Sequence, residues 1–208
     1  IESIYRKGCK KIMISIAIVG NIASGKSTVE SVLRKKGYKV FDSDIIAHEV
    51  LDDLSEKILE AFKDYDISEN GRISRQKLGA LVFDDKNLKE KLENIVHPEI
   101  KDRLKKIFEE NKLEKYIFVS IPLLFEVGWR NLFDKILFIY TEDKIRLNRL
   151  MQRNNFTKDE ALARIKSQLP QEEKVKVSDF IINNNHSIDV LQKYIERFII
   201  QLEDNGET

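Results

Sequence analysis

A glycine-rich segment at residues 20–27 constrains this chain more than any other stretch of it. Its sequence, GNIASGKS, fits the pattern G-x-x-x-x-G-K-[ST] at every fixed position. An apolar run, MISIAIV, precedes it at residues 13–19, and apolar residues recur at helical spacing after it. A strand that enters such a turn and a helix that leaves it form the context of a phosphate-binding loop. The segment therefore predicts a site for a nucleoside triphosphate.

The residue types of this phosphate loop suit phosphate chemistry. Gly20 and Gly25 allow a tight turn whose backbone N–H groups point inward at phosphate oxygens. The helix that begins near Lys26 adds the positive end of its dipole. Lys26 is expected to reach the β- and γ-phosphates, and the Ser27 hydroxyl to ligate magnesium. The predicted nucleotide-binding residues of the loop are Gly20, Asn21, Ile22, Ala23, Ser24, Gly25, Lys26, Ser27 and Thr28.

Charge and hydropathy argue against several classes of partner. Of 208 residues, 36 are Lys or Arg and 35 are Asp or Glu, so the net charge gives no case for nucleic-acid or membrane binding. The apolar run at residues 12–19 is shorter than the ~20 residues that cross a bilayer, and it ends in the phosphate loop instead of a cleavage site. The single cysteine, Cys9, excludes an internal disulfide. We expect a cytoplasmic protein in which residues 1–12 are a leader segment with little part in the fold.

Two carboxylates follow a second predicted strand at residues 38–41. The sequence there is Asp42-Ser43-Asp44, just before a predicted helix at residues 45–51. Open α/β sheets bind ligands at the carboxyl ends of their strands. Asp42 or Ser43 could instead only cap the helix. We predict that Asp44 has the functional role while a neighbour caps.

The region after Asp44 is predicted to contain helices and no strand. It is far longer than a parallel crossover requires. Residues 45–114 are therefore assigned to a helical insertion that builds the acceptor site, between the core segments 13–44 and 115–208. Pro98 is expected to open the last helix of the insertion near its first turn.

One segment of the insertion is similar to the start of a calcium-binding loop. It reads DISENGRI at residues 66–73, but Lys77 occupies the position of the closing glutamate. A lysine there would place a cation against the ion. We predict a tight turn at Asn70 and Gly71 and no calcium site.

Three further strands complete the predicted sheet, at residues 116–121, 135–140 and 179–182. Neither of the first two ends in the aspartate that many ATPases use to hold magnesium through water. The missing carboxylate would then come from Asp42 or Asp44. This pattern favours a small-molecule kinase over a GTPase or a motor.

A pair of predicted helices has the character of a lid, at about residues 149–170. The first helix carries Arg149 and Arg153, a polar break follows at residues 154–157, and Thr157 caps the second helix. Lid arginines can close on phosphates when both substrates are bound. Helical arginines more often form a solvated face, and both alternatives remain open for this pair.

Taken together, these motifs resemble those of the dephospho-CoA kinase family. The resemblance covers the chain from residue 13 to about residue 199, with departures from the usual family pattern at Asn183 and His186. The most distinctive segment is IPLLFE at residues 121–126. The other segments are GNIASGKST at 20–28, DSDIIAHEV at 42–50, NGRISRQKLGALVF at 70–83, LENIVHPEI at 92–100, RLMQR at 149–153, ALARIKSQ at 161–168 and SDFIINN at 178–184.

The resemblance implies a three-layer α/β P-loop kinase fold with a five-stranded parallel sheet, a helical acceptor-binding insertion and a small helical lid. It implies transfer of the γ-phosphate of ATP, with Mg²⁺, to the ribose 3′-hydroxyl of dephospho-CoA. By the family's pattern, Asp44 would accept the hydroxyl proton or orient the nucleophile. Lys26, Arg149 and Arg153 would stabilise charge on the transferred group, and Asn184 would help to bind the nucleotide.

The acceptor side and the partners also follow from the resemblance. Arg75, His97, Pro98 and Glu126 would help to bind dephospho-CoA. His97 could instead cap a helix, and Glu126 could have a structural role. The resemblance implies a small-molecule partner, no nucleic-acid or membrane partner, and a monomer or weak homo-oligomer.

The nearest alternative is another P-loop small-metabolite kinase of the shikimate, gluconate or nucleoside monophosphate type. Such enzymes also combine a phosphate loop with a D-x-D pair, but the long insertion and the IPLLFE segment favour the first interpretation. A nucleotide switch or nucleic-acid ATPase would predict a guanine-reading N-K-x-D motif or a basic patch with aromatic residues. The sequence contains neither.

Overall fold

The computed structural model of the chain describes residues 13–204. The predicted leader, residues 1–12, lies outside the described residues. The chain divides into two compact units, which we call the core unit and the inserted unit. Among the described residues, the core unit comprises 13–41 and 112–204, and the inserted unit is Asp42–Asn111.

The described elements alternate between strand and helix in the core unit and are mainly helical in the inserted unit. In chain order they are β1 (Ile14–Val19), α1 (Lys26–Lys35), β2 (Lys39–Asp42), α2 (Ser43–Asp53), α3 (Ser55–Ala61), β3 (Ser68–Glu69), β4 (Arg72–Ile73), α4 (Arg75–Asp84), α5 (Lys86–Glu110), β5 (Tyr116–Ser120), a 3-10 turn (Arg130–Leu132), β6 (Lys135–Tyr140), α6 (Asp143–Asn154), α7 (Lys158–Lys166), α8 (Gln171–Lys176), β7 (Phe180–Asn183) and α9 (Ile188–Asp204).

Five strands form one sheet in the order β2-β5-β1-β6-β7. β1 pairs in parallel with β5 and β6, and β6 pairs in parallel with β7. Ile16 lies opposite Phe118 on one side and Lys135 on the other. The order makes β1 the central strand, so the phosphate loop leaves the middle of the sheet. The predicted parallel α/β fold is confirmed.

The central strand is buried on both of its faces. Ile16 and Ile18 belong to an apolar cluster that α1 and α9 complete, while Ala17 and Val19 on the opposite face are also 0% exposed. Burial on both faces explains why β1 is a continuous apolar run instead of an alternating one. The cluster comprises Ile16, Ile18, Val29, Leu33, Tyr116, Phe118, Leu137, Ile139, Ile182, Leu191, Ile195, Phe198 and Leu202.

The prediction that the insertion contains no strand is wrong. β3 and β4 form a short antiparallel hairpin in which Ser68 pairs with Ile73 and Glu69 with Arg72. The predicted tight turn joins them, with φ 51° at Asn70 and φ 75° at Gly71. Two successive left-handed residues give the turn that matches the twist of a two-residue hairpin. Because each strand has only two residues, no alternating pattern was available to reveal it.

Lys77 fills the position that made this segment similar to a calcium loop. Its ammonium donates to both carboxylate oxygens of Asp66, at 2.9 and 2.8 Å, and to the backbone oxygen of Ser68 at 3.1 Å. The lysine therefore binds the first carboxylate of the segment.

The prediction that Pro98 opens a helix is also wrong. α5 runs unbroken through Pro98, and its N-cap is Asp85, whose carboxylate accepts from the N–H groups of Asn87 and Leu88. An interior proline costs about 3 kcal/mol. The buried side chains of Val96 and Ile100 on either side of Pro98 contribute packing that offsets this cost.

Candidate active site

The phosphate loop turns between β1 and α1, and its two fixed glycines stand where side chains would not fit. A Cβ on Gly20 would lie 2.4 Å from Ser24 Oγ. Gly25 has φ +86°, and a Cβ there would lie 2.1 Å from Asn184 Nδ2. Space requires glycine at both positions, and backbone conformation requires it again at Gly25. Both positions leave the loop backbone bare, as the close approach of a phosphate demands.

α1 begins at Lys26, so its first turn carries the predicted side chains of Lys26, Ser27 and Thr28. Lys26 is partly buried and Ser27 is exposed. The Lys26 ammonium donates to Glu30 Oε1 at 3.1 Å and to Ser120 Oγ. An exposed hydroxyl in the first turn of this helix is available to a ligand.

Glu30 and Ser120 were not predicted as site residues. They are 4% and 0% exposed, and Ser120 Oγ donates to Glu30 Oε1 at 2.7 Å. One signal could have pointed to Glu30. It directly follows the core residue Val29 on α1, and a charged side chain that is buried beside the core needs a partner. Nothing in the sequence links Ser120 to α1, because the two residues are 90 positions apart.

The predicted lid, residues 149–170, is attached to the phosphate loop. Asn21 Nδ2 donates to Leu169 O at 3.0 Å, and Ile22 N donates to Gln168 Oε1 at 2.7 Å. The helices α6 and α7 share a small apolar cluster against which the loop also packs. The cluster is Leu150, Ala161 and Ile165, with Ile22, Ala23, Leu147, Met151 and Phe156 packed around it.

Arg149 reaches the loop from α6, whereas Arg153 does not. The Arg149 guanidinium donates to Ala23 O at 3.4 Å and to Asn184 O at 3.0 Å. Burial lowers the pKa of Arg149, although arginine stays protonated at neutral pH. Arg153 is exposed and donates to Asn154 Oδ1 at 2.9 Å. The closure of either arginine on phosphates stays a prediction.

Arg146 also contacts the loop and was not among the predicted site residues. It is 2% exposed and donates to Asp143 Oδ1 at 2.6 Å and to Ile22 O at 3.4 Å. Arg146 and Arg149 therefore bind two successive loop carbonyls. Arginines at helical spacing are typical of a solvated face, so the sequence alone did not separate the buried Arg146 from the partly buried Arg149 and the exposed Arg153.

Asn184 lies against the loop at the end of β7. Its side-chain Nδ2 donates to Ser24 O at 2.7 Å, and its backbone N donates to Tyr140 O at 2.8 Å. The residue is 5% exposed. Asn184 thus fixes the second half of the phosphate loop, and its predicted contact with the nucleotide stays a prediction.

We expect Gly25→Ala to weaken ATP binding about tenfold or more, because the new Cβ would displace the Asn184 side chain from its hydrogen bond with Ser24. Gly37→Ala is the matched control. Gly37 has φ +91°, and a Cβ there would meet nothing within 4 Å, so this change brings backbone strain of about 1 kcal/mol without a clash. Calorimetric titration with ATP measures the difference. Equal ATP affinity in the two variants would contradict the assignment.

Glu126, a predicted acceptor-side residue, forms an ion pair within the core unit. Lys174 Nζ donates to Glu126 Oε1 at 2.7 Å, with side-chain exposures of 1% and 21%. Leu169 N also donates to this oxygen, at 3.4 Å. The contact with a buried ammonium gives Glu126 the structural role that the sequence left open. Its role toward the acceptor stays a prediction.

The structure identifies which residue of the Asp42-Ser43-Asp44 segment caps α2. Asp42 is the N-cap of α2, and its Oδ1 accepts from Asp44 N at 2.9 Å. Asp44 lies in the first turn of α2 with an exposed side chain, and Ser43 between them is buried. Asp42 is therefore the capping residue, and the role of Asp44 in the chemistry stays a prediction.

The other predicted acceptor residues belong to the inserted unit. Arg75, in the first turn of α4, donates to Asp52 Oδ2 at 2.7 Å. His97 and Pro98 are adjacent in the middle of α5, so the alternative in which His97 caps one helix before the next is wrong. Burial lowers the pKa of His97, which favours the neutral form of its imidazole. A neutral imidazole can form hydrogen bonds with a ligand but offers no charge.

Comparison with known proteins decides the family. The family model described as CoaE, dephospho-CoA kinase, matches residues 14–189. The chain belongs to the dephospho-CoA kinase family. The match spans the phosphate loop, the inserted unit and the lid, so it rests on much more than the loop motif.

Two proteins named dephospho-CoA kinase and one further solved structure are similar to most of this chain. The dephospho-CoA kinase of Listeria innocua is 42% identical over 197 residues, which cover 89% of this chain and 97% of the relative. The solved structure of dephospho-CoA kinase from Campylobacter jejuni has a TM-score of 0.66 at 32% identity and covers 92% of this chain and 98% of its own. The crystal structure of TT1252 from Thermus thermophilus has a TM-score of 0.83 at 34% identity, and the match covers 92% of this chain and 99% of that one.

These comparisons confirm the predicted family, fold and enzyme class, and they support dephospho-CoA kinase over the other small-metabolite kinases. No helix within residues 13–204 combines the length and apolar character needed to cross a membrane. The same part of the chain contains no group of three or more His, Cys, Asp or Glu side chains that could hold a metal ion.

Proposed function

We propose that this protein is a dephospho-CoA kinase that transfers the γ-phosphate of ATP to the ribose 3′-hydroxyl of dephospho-CoA, giving coenzyme A and ADP. The observation that carries the proposal is the family match over residues 14–189, which includes the phosphate loop and the entire inserted unit. The proposal retains the predicted cytoplasmic location and a small molecule as the partner.

The nucleotide half of the reaction belongs to the core unit. The bare backbone of the phosphate loop and the positive end of the α1 dipole would hold the triphosphate of ATP. Lys26 would contact the β- and γ-phosphates. Arg149 already lies against the loop and would add a second positive charge. These cations would stabilise negative charge on the transferred group. Such stabilisation is the main contribution of a protein to phosphoryl transfer.

The loop also fits a magnesium ion that is bound mainly by the nucleotide. Mg²⁺ prefers oxygen ligands and typically takes one or two of them from the protein beside phosphate oxygens and waters. The exposed Ser27 hydroxyl in the first turn of α1 is such an oxygen and would hold the ion. Asp42 or Asp44 remains the carboxylate predicted to support it. When bound, the ion neutralises charge on the β- and γ-phosphates.

The acceptor half would depend on Asp44. Its carboxylate would take the proton of the ribose 3′-hydroxyl while that oxygen bonds to the γ-phosphorus, and the bond to the bridging oxygen of ADP breaks. Asp42 is engaged as the helix cap, which supports the choice of Asp44. Arg75, His97 and Pro98 are proposed to hold dephospho-CoA, with Glu126 as a further acceptor-side residue.

A coupled assay of ADP formation across four acceptor classes tests the proposal. Dephospho-CoA is expected to support turnover, and shikimate, gluconate and nucleoside monophosphates to give rates near that of ATP hydrolysis without acceptor. Turnover with one of the other acceptors and none with dephospho-CoA would refute it.

A further inference from the structure

A buried carboxylate lies behind the phosphate-loop lysine. Glu30 follows Lys26 by one turn of α1 and is 4% exposed. Its Oε1 atom accepts from Lys26 Nζ at 3.1 Å and from Ser120 Oγ at 2.7 Å, and its Oε2 atom lies 3.6 Å from an Arg34 nitrogen. A buried carboxylate is costly unless it is both paired and hydrogen-bonded. The described contacts meet both conditions.

Ser120 closes this network at the end of a core strand. It is the last residue of β5, and its hydroxyl accepts from Lys26 and donates to Glu30. Neither β5 nor β6, which ends at Tyr140, has an acid as its final residue. Because Ser120 donates to Glu30, a carboxylate from α1 lies at the end of β5, a strand whose own last residue is not an acid.

The network fixes the direction of the Lys26 ammonium. A lysine ammonium has three N–H donors on a flexible stem. Two of them are used behind the loop, on Glu30 and Ser120, which leaves the third. The Lys26 side chain is 18% exposed, so this third donor is on a group that a ligand can reach.

We propose that Glu30, together with Ser120, is a positioning residue for phosphoryl transfer that acts by holding Lys26 in the direction of the nucleotide phosphates. The inference rests on the proposed function, since it concerns the same reaction. It assigns to Glu30 no contact with substrate.

Two opposite effects of Glu30 make its role measurable. Its negative charge lies 3.1 Å from the Lys26 ammonium and therefore reduces the attraction of the site for anionic ATP. Its charge-assisted hydrogen bond orients the same ammonium. Removal of the charge should leave ATP binding as strong or stronger while the transferred phosphoryl group loses a correctly directed cation.

The test compares the wild-type chain with Glu30→Gln, Lys26→Met, the double variant E30Q/K26M and the matched control Arg34→Gln. R34Q removes the other cation beside Glu30 without touching Lys26. We expect E30Q to lower kcat about tenfold with an ATP Kd equal to or lower than that of the wild type. R34Q should retain kcat. In the K26M background, single-turnover rates should be unchanged by E30Q, because its effect acts through Lys26.

Two results would overturn the inference. One is an E30Q enzyme with wild-type kcat, and the other is an E30Q defect of equal size with and without Lys26, accompanied by weaker ATP binding. If E30Q does not fold, Ser120→Ala tests the inference instead. A kcat about threefold lower at unchanged ATP Kd would support the proposed role of the network, and an unchanged kcat would refute it. A wild type that binds ATP but does not phosphorylate dephospho-CoA would instead refute the proposed function.

Discussion

Asp44→Asn is expected to lower kcat with dephospho-CoA by about 10²–10⁴, the range that general acid–base catalysis contributes. Asparagine has nearly the same shape but cannot accept the hydroxyl proton. The Asp44 side chain is exposed in the first turn of α2, so the change should not disturb packing. ATP binding, measured by calorimetry, should stay within about threefold of wild type because Asp44 is assigned to the acceptor.

Asp42→Asn provides the control for this prediction two residues away. Asparagine caps helices about as well as aspartate, so the hydrogen bond to Asp44 N can be retained. The variant removes one negative charge from the same turn and should keep most of the wild-type kcat unless Asp42 is the carboxylate that supports magnesium. A near-normal kcat in D44N would move the proton acceptor away from Asp44, and an equal loss in D42N would assign Asp42 that part in holding magnesium.

Lys26→Met is expected to lower kcat/KM by about 10²–10³, because it removes a cation directed at the charge of the transferred group. It should also raise the ATP Kd about tenfold, since the same ammonium contacts the β- and γ-phosphates in the ground state. Methionine keeps much of the length of the side chain. Glu30 retains its hydrogen bond from Ser120 in this variant, which limits the cost of leaving its carboxylate buried.

Lys35→Met is the control for the charge of α1. Lys35 is exposed at the last turn of the same helix, and its replacement removes the same charge away from the loop. Steady-state kinetics and ATP titration of both variants, with thermal unfolding to check folding, separate the local effect from a general one. Normal rate and affinity in K26M would show that residues 20–27 are not the phosphate site.

The sequence predicted those features that depend on near neighbours. Gly37 follows α1 in the sequence, where a glycine typically ends a helix, and it has φ +91° just after the C-cap residue. Thr157 was expected to cap a helix, and it forms a capping box with Glu160 at the start of α7. Hydrogen bonds from the Thr157 backbone and hydroxyl lower the pKa of Glu160. Contacts over three or four residues leave a direct trace in sequence, as the phosphate loop does.

Features that depend on tertiary packing were missed. A proline usually ends a helix, but the packed residues around Pro98 keep α5 continuous. The hairpin of β3 and β4 is too short to show a strand pattern. The contact of Glu30 with Ser120 joins α1 to β5 across 90 positions of the chain, and only the fold brings these two residues together.

Identification of the reaction product tests the central claim most directly. Incubation of the wild type with ATP, Mg²⁺ and dephospho-CoA, followed by phosphorus NMR and mass spectrometry, determines whether a phosphate is added and to which hydroxyl. We expect one new phosphomonoester on the ribose 3′-oxygen, formed together with an equal amount of ADP. Unchanged dephospho-CoA in the presence of a folded, ATP-binding protein, or a phosphate on another hydroxyl, would contradict the proposed function.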